Sequence, residues 1–99
     1  MVYIMLADGF EEIEALAVVD ILRRGDIKVS TVSVYNKQTV IGAHSINVIP
    51  DIMFDELRYD DCECIILPGG MPGTINLKEN LKLETLLKKA FSDKKCIEF

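Results

Sequence analysis

The amino-acid sequence predicts an α/β protein built on an open, mostly parallel β-sheet with helices on both faces. Segments of strand and helix character alternate along the 99 residues, as they do in parallel sheets joined by helical crossovers. The strand candidates, such as residues 2–6, are short and continuously apolar, a pattern that suits strands buried on both faces. The length allows one domain, spanning residues 1–99.

The predicted elements follow in the order strand, helix, strand, hairpin, strand, helix and strand. The first helix is predicted from about Glu11 to Arg24, because acids fill its first turn, Arg23 and Arg24 fill its last turn, and Gly25 stands at the position of a C-terminal cap. The remaining elements are a strand over residues 28–34, a hairpin over residues 40–41 and 45–49, one helical turn at residues 55–57, a strand over residues 64–67, a single helix over residues 77–91 and the beginning of a strand at residues 96–97.

Composition excludes several classes of function. The net charge is −5, and acids and bases are interspersed, so there is no basic stripe for nucleic acid. The apolar start of the chain ends at Asp8, which is too early for a signal peptide or a membrane span, and a cytoplasmic location is predicted. An odd number of cysteines favours free thiols. Cys62 and Cys64, with His44 as the only histidine, do not supply a tetrahedral zinc site, so no metal is predicted.

Glu14 is the first candidate catalytic residue. Helical spacing places it on one face with Ala17, Val18 and Ile21, away from a polar side that includes Glu12. This position predicts that the Glu14 side chain is buried and that its pKa is raised, so that it exchanges a proton near neutral pH. The alternative is an ordinary N-terminal acid that interacts with the helix dipole.

A glycine-rich loop after the strand at residues 64–67 is the second candidate. Gly69 and Gly70 let backbone N–H groups approach a ligand without obstruction by side chains, and such groups stabilise an oxyanion. The alternative is a plain strand-to-helix turn. The loop lacks the lysine of a phosphate-binding loop, and no dinucleotide fingerprint is present, so no cofactor is predicted. His44 is predicted to be a surface or packing residue, because no carboxylate stands near it in sequence.

These loops, in this order, resemble the ThiJ/PfpI superfamily and, within it, the branch of the parkinsonism-associated deglycase. The resemblance is carried by residues 7–14 (Ala-Asp-Gly-Phe-Glu-Glu-Ile-Glu), residues 19–25, residues 67–70 (Leu-Pro-Gly-Gly) and residues 76–77. It implies a flavodoxin-like domain that commonly dimerises and uses a cysteine nucleophile on a strand-to-helix elbow. A glutamate matching Glu14 contacts that cysteine, and a glycine amide matching Gly70 helps to form the oxyanion site. The implied activities are cofactor-independent conversion of a small aldehyde, deglycation, an oxidative-stress response and, in some branches, peptidase or chaperone work.

The sequence departs from the family pattern after residues 96–97. Family members continue from this strand through small residues to the elbow cysteine, whereas Glu98 and Phe99 stand here. We therefore expect an N-terminal portion of such a protein, with the C-terminal part missing and no activity of its own. A homodimer, or association through the incomplete sheet, is expected as well. Two alternatives remain open: a non-catalytic flavodoxin-like interaction or regulatory domain, and a class I amidotransferase-like domain, which shares a cysteine elbow.

Overall fold

Seven strands and three helices make up the computed structural model, which describes all residues, 1–99. The strands are β1 (Val2–Leu6), β2 (Val29–Ser33), β3 (Val40–Ile41), β4 (Asn47–Val48), β5 (Ile52–Met53), β6 (Cys64–Ile66) and β7 (Cys96–Glu98). The helices are α1 (Glu12–Arg24), α2 (Gly73–Lys78) and α3 (Leu81–Ser92), and short 3-10 turns cover Phe54–Glu56 and Tyr59–Asp61. No helix is both long enough and apolar enough to cross a membrane.

Five of the strands form one parallel sheet in the order β5-β2-β1-β6-β7, while β3 and β4 form a separate antiparallel hairpin. Side chains of the central strand β1 alternate between two cores. Tyr3 and Met5 pack on one face with residues of α2 and α3, and Ile4 and Leu6 pack on the other face with residues of α1. The predicted open, parallel α/β sheet with helices on both faces is confirmed.

The single helix predicted over residues 77–91 is wrong, because the chain forms two helices there. Asn80 interrupts them: its backbone is extended, and its side-chain oxygen accepts a hydrogen bond of 2.9 Å from the backbone N–H of Leu83. Its side-chain NH₂ group also donates to the carbonyl of Val34 at 3.4 Å. A buried asparagine that caps one helix and also bonds to the residue after β2 ends the preceding helix. The short edge strand β5, which pairs with Val32 and Ser33, was not predicted either.

The predicted bounds of α1 are confirmed, but the predicted orientation of its faces is wrong. Glu12, Ala15 and Val19 are its buried residues. Glu14 and Ile21 are exposed, although both were placed on the apolar face. The reason is that Glu12 finds hydrogen-bond donors inside the fold, so a charged residue occupies a position that helical spacing assigned to solvent.

Two glycine-bearing loops meet at the carboxyl ends of β1 and β6. The N–H of Glu11 donates to the carbonyl of Gly69 at 2.9 Å, and the N–H of Gly73 donates to the carbonyl of Gly9 at 3.1 Å. Gly70 has a φ of +103°, and a Cβ atom there would lie 2.5 Å from the nitrogen of Glu11 and 2.8 Å from the oxygen of Gly9. Only a residue without a side chain allows this approach.

We predict that Gly70→Ala lowers the free energy of unfolding by about 1–3 kcal/mol, because alanine is strained at this φ and also meets the backbone of the other loop. Gly25→Ala is the matched control. Gly25 has a φ of −86°, and its added Cβ would meet only carbonyl oxygens at 3.6 and 3.7 Å. The control is expected to be neutral or to stabilise the protein by about 0.4–1 kcal/mol. Urea unfolding measures both variants, and equal losses would show that the contact between the loops is not specific.

Candidate functional site

Glu14 faces the glycine loop at the carboxyl edge of the sheet. Its carboxylate oxygens lie 3.2 and 3.3 Å from the position that a Cβ atom on Gly69 would occupy. The side chain is exposed, so its predicted burial is wrong. The carboxyl edge is where open α/β sheets bind ligands, and the structure brings Glu14 and Gly69 together there.

The three acids at the start of α1 have different roles. Glu11 caps the helix, because its two carboxylate oxygens each accept a hydrogen bond of 3.1 Å, one from the N–H of Ile13 and one from the N–H of Glu14. Glu12 is buried and accepts hydrogen bonds from the hairpin loop. The carboxylate of Glu14 accepts no hydrogen bond and forms no ion pair within the protein. It is therefore the one carboxylate of the three whose oxygens are free to meet a ligand.

Glu12 holds the hairpin loop against α1. Its carboxylate accepts hydrogen bonds from the N–H of His44 at 2.7 Å and from the N–H of Ile46 at 3.3 Å, and it pairs with Nδ1 of His44 at 2.9 Å. Burial alone would raise the pKa of Glu12, but the hydrogen bond with the His44 ring and those from backbone N–H groups lower that pKa to about 2. The hydrogen bond and the negative charge of Glu12 raise the pKa of His44 above its ordinary value of 6.5.

The prediction for His44 is confirmed in part. Its side chain is exposed, as expected of a surface residue. That prediction rested on the lack of a carboxylate near His44 in the sequence, but Glu12, which lies 32 residues earlier in the chain, contacts the His44 ring in the fold. No local pattern in the sequence signals this pair, since the hairpin turn is what brings the two residues together.

Glu11, Glu12 and His44 place ligand atoms within 4.8 Å of one another, as a metal site would. Each carboxylate oxygen of this cluster, however, already accepts a hydrogen bond from a helix cap or from the hairpin loop. A metal ion would displace these bonds, so the cluster is accounted for by structural roles.

The amides of the glycine loop are unoccupied, whereas its carbonyls are used. The carbonyl of Gly69 accepts from Glu11, and the carbonyl of Gly70 accepts from the N–H of Thr74 at 2.9 Å and from its hydroxyl at 2.8 Å. The N–H groups of Gly69 and Gly70 donate to no acceptor in the protein. Two free backbone donors beside an unpaired carboxylate form an arrangement that can bind a polar ligand.

A groove of about 880 Å³ begins beside Glu14 and Gly69. Apolar side chains form much of its lining, among them Leu87, Phe91, Ile97 and Phe99. Gly70 follows Gly69 in the loop but does not line the groove. The structure therefore joins two of the three predicted site residues in one cavity and places the third next to it.

The cysteines lie at the other edge of the sheet. Cys64 and Cys96 are the first residues of β6 and β7, and Cys62 precedes β6. Because parallel strands begin at one edge and end at the opposite edge, these thiols are separated from Glu14 by the length of the strands. All three thiols are free.

The sheet order, the helices on both faces and the loops at the carboxyl edge define a flavodoxin-like α/β domain. The model of the DJ-1/PfpI family matches residues 1–98, and the chain belongs to this family. The predicted resemblance is confirmed.

Curated relatives agree with this assignment. Protein DJ-1 homolog A from Arabidopsis thaliana is 37% identical over 92 residues, which are 93% of this chain and 24% of that protein. A deglycase from Thermococcus kodakarensis is 33% identical over 97 residues, which are 97% of this chain and 57% of that protein. The chain thus spans between about a quarter and just over half of the length of these two relatives.

Solved structures show the same fold. A DJ-1 superfamily protein from Salmonella typhimurium, solved as a cysteine-to-alanine mutant, superposes with a TM-score of 0.91 at 34% identity. Drosophila melanogaster DJ-1beta superposes with a TM-score of 0.92 at 28% identity. Each comparison covers 97% of this chain and 52% of the other chain.

The pair of Glu12 and His44 predicts a specific pH dependence of stability. The lowered pKa of Glu12 means that its contribution is present above its ordinary pKa of 4.5 and is lost as the pH falls from there towards 2. The raised pKa of His44 means that its contribution is complete below 6.5 and is lost as the pH rises through its higher folded value. We therefore expect Glu12→Gln to destabilise the protein most between about pH 4.5 and 6.5.

Chemical unfolding at pH values from about 2 to above 6.5 measures the effect. The difference in free energy of unfolding between the wild type and Glu12→Gln should shrink as the pH falls towards 2. Glu79→Gln, a change at an exposed acid, is the control and should follow the wild type throughout. A constant difference between the wild type and Glu12→Gln would contradict the lowered pKa.

Proposed function

We propose that this chain is the N-terminal portion of a DJ-1/PfpI enzyme and carries the acid/base and oxyanion-binding half of its active site. The observation that carries the proposal is the free carboxylate of Glu14 against Gly69, beside two backbone amides without acceptors. The relative from Thermococcus kodakarensis is named a deglycase. This name supports a small aldehyde or a glycated group as the substrate class.

Each residue has a chemical role in the proposed reaction. A cysteine thiolate supplied from outside residues 1–99 attacks the aldehyde carbon of a substrate such as methylglyoxal, so that a C–S bond forms and the carbonyl oxygen takes the negative charge. The N–H of Gly70 stabilises this oxyanion, and Gly69 keeps the space beside it open. Glu14 then transfers a proton from the attacked carbon to the neighbouring carbonyl carbon, which leaves a thioester of lactate on the cysteine. Water attacks this thioester, the C–S bond breaks, and lactate and the free thiol are released. The overall reaction adds one water molecule and needs no cofactor.

A non-catalytic interaction or regulatory domain and a class I amidotransferase-like domain are the rival functions. Reading the coding sequence on the carboxyl side of Phe99 separates them. An elbow cysteine supports the proposal, the lack of one supports the non-catalytic domain, and a cysteine followed by a later His-x-Glu supports the amidotransferase.

A role in the oxidative-stress response and a cytoplasmic location are part of the proposal that this chain belongs to a DJ-1/PfpI enzyme.

We predict that residues 1–99 alone convert no methylglyoxal to lactate above the buffer rate. The reason is that their thiols lie at the amino-terminal edge of the sheet, away from Glu14. Enzymatic measurement of lactate tests this directly. Turnover that survives purification and disappears in Glu14→Gln would contradict the assignment of the nucleophile to another segment.

In a longer protein that carries the elbow cysteine, Glu14→Gln is expected to lower kcat by about 10²–10⁴, the usual contribution of general acid–base catalysis. Glu79→Gln is the control, because Glu79 is exposed and lies outside the groove. A Glu14→Gln enzyme with wild-type kcat would remove the catalytic role of this residue.

Self-association is proposed as the way in which the chain covers its apolar groove. Phe91 and Phe99 line the groove and are 79% and 94% exposed, and β7 is an edge strand of the sheet. Exposed apolar patches and unpaired strand edges favour pairing with a second copy.

We predict that the chain sediments as a dimer at low micromolar concentration and that Phe91→Ser shifts it towards the monomer. Ile49→Ser is the matched control, because Ile49 is 81% exposed but lies outside the groove. The control should sediment like the wild type. A wild-type monomer with one cooperative unfolding transition would show that the groove needs no second copy.

A further inference from the structure

Cys64 and Cys96 lie side by side at the amino-terminal edge of the sheet. We propose that they form a reversible disulfide when the protein meets a hydroperoxide. The two residues are direct partners in the pairing of β6 with β7, and their sulfur atoms are 2.7 Å apart. Neither thiol belongs to the candidate site at the carboxyl edge.

The backbone geometry suits a disulfide. Neighbouring strands are about 4.7–4.9 Å apart, and this spacing falls within the range of about 4.4–6.8 Å between Cα atoms that disulfides bridge. Because Cys64 and Cys96 are register partners, their side chains point to the same face of the sheet. The bond can therefore form without a shift of either strand.

The surroundings distinguish this pair from the third cysteine. Cys96 is exposed and Cys64 is partly exposed, so an oxidant reaches them from solvent. Cys62 is buried in the core beneath α2 and α3, whereas Cys64 packs against the core beneath α1. Burial also raises the pKa of Cys62. We therefore expect Cys62 to stay reduced.

The order of the two steps follows from exposure and charge. Cys96 reacts first: its sulfur attacks the hydroperoxide, the O–O bond breaks, and Cys96 becomes a sulfenic acid while water or an alcohol leaves. The sulfur of Cys64 then attacks that of Cys96, the S–S bond forms, the S–O bond breaks, and water carries away the proton of Cys64. The two thiols together lose two electrons, which the hydroperoxide accepts.

The pKa of Cys64 supports this order. Burial is the largest cause that raises the pKa of Cys64, and the hydrogen bond and charge of Cys96 add to it and bring this pKa to about 12. Cys64 is therefore a protonated thiol near neutral pH and a poor first nucleophile. Once Cys96 is an uncharged sulfenic acid, the charge of Cys96 no longer opposes ionisation of Cys64, and the second step becomes easier.

The bond would tie the edge strand β7 to its neighbour at one end. At the other end, the N–H of Leu67 already donates to the carbonyl of Glu98 at 2.8 Å. The closed loop contains the glycine loop, α2 and α3. A disulfide across such a loop restricts the unfolded chain, so the oxidised protein should unfold at a higher temperature than the reduced protein.

Hydrogen peroxide treatment followed by mass spectrometry without reduction tests the proposal. Of the three thiols, two should be lost and one should remain, and the intact mass should fall by two hydrogens. Trypsin should yield the peptide of residues 59–78 joined to that of residues 96–99, and dithiothreitol should separate them. Circular dichroism before treatment shows that each variant is folded.

Two variants complete the design. Cys62→Ala leaves only the proposed pair and should form the same cross-link to the same extent. Cys96→Ser, a change at an exposed position, should abolish the cross-link and the rise in unfolding temperature. The proposal is overturned if Cys96 is oxidised to a sulfinic acid while Cys64 stays free, if Cys62 takes part in the bond, or if only cross-links between two chains form.

Discussion

Close backbone contact between residues 9–11 and residues 69–73 holds the carboxyl edge of the sheet together. The two hydrogen bonds, from Glu11 to Gly69 and from Gly73 to Gly9, bring the two main chains so close that a Cβ atom on Gly9, Gly70 or Gly73 would clash with the other loop. This contact sets where α1 begins, because Glu11 is both a partner in the contact and the cap of the helix. The position of Glu14, one turn into that helix, follows directly.

Glu11, Glu12 and Glu14, the acids at this contact, have different hydrogen-bond partners and therefore different roles. Glu11 and Glu12 are fully engaged, one with the helix end and the other with the hairpin loop. Their bonds hold the first turn of α1 rigidly in place. These bonds fix the backbone from which the Glu14 side chain projects, while its own carboxylate stays free of hydrogen bonds within the protein.

Much of the fold could be predicted from the sequence, because its strongest signals are local. Continuous apolar runs and helix-end residues placed β1 and α1 correctly. The errors arise where contacts between residues distant in sequence determine a helix end or the burial of a side chain. Asn80 ends a helix because it is buried against Val34, and Glu12 is buried because His44 and Ile46 donate to it.

In the candidate site, too, the features that local sequence determines could be predicted, and those that distant contacts determine could not. Glu14 and the glycine loop could be selected because residue types in a motif carry that information. The exposure of Glu14 could not be predicted, because it depends on how α1 is rotated about its own axis. The hydrogen bonds between Glu12 and the hairpin loop contribute to that rotation. The contact between Cys64 and Cys96 was missed because strand register joins residues 32 positions apart, and no local pattern reports register.

The direction of the strands separates the two proposed sites in this molecule. Parallel strands all end at the edge that carries Glu14 and the glycine loop, and all begin at the edge that carries Cys64 and Cys96. Each residue of a strand advances it by about 3.3 Å, and Cys96 stands two residues before Glu98, the last residue of β7. A cysteine that is to react beside Glu14 must therefore follow a strand, whereas one that precedes a strand can react only at the opposite edge. The same sheet thus keeps the proposed thiol switch away from the proposed catalytic carboxylate, while β6 and β7 connect the two edges mechanically.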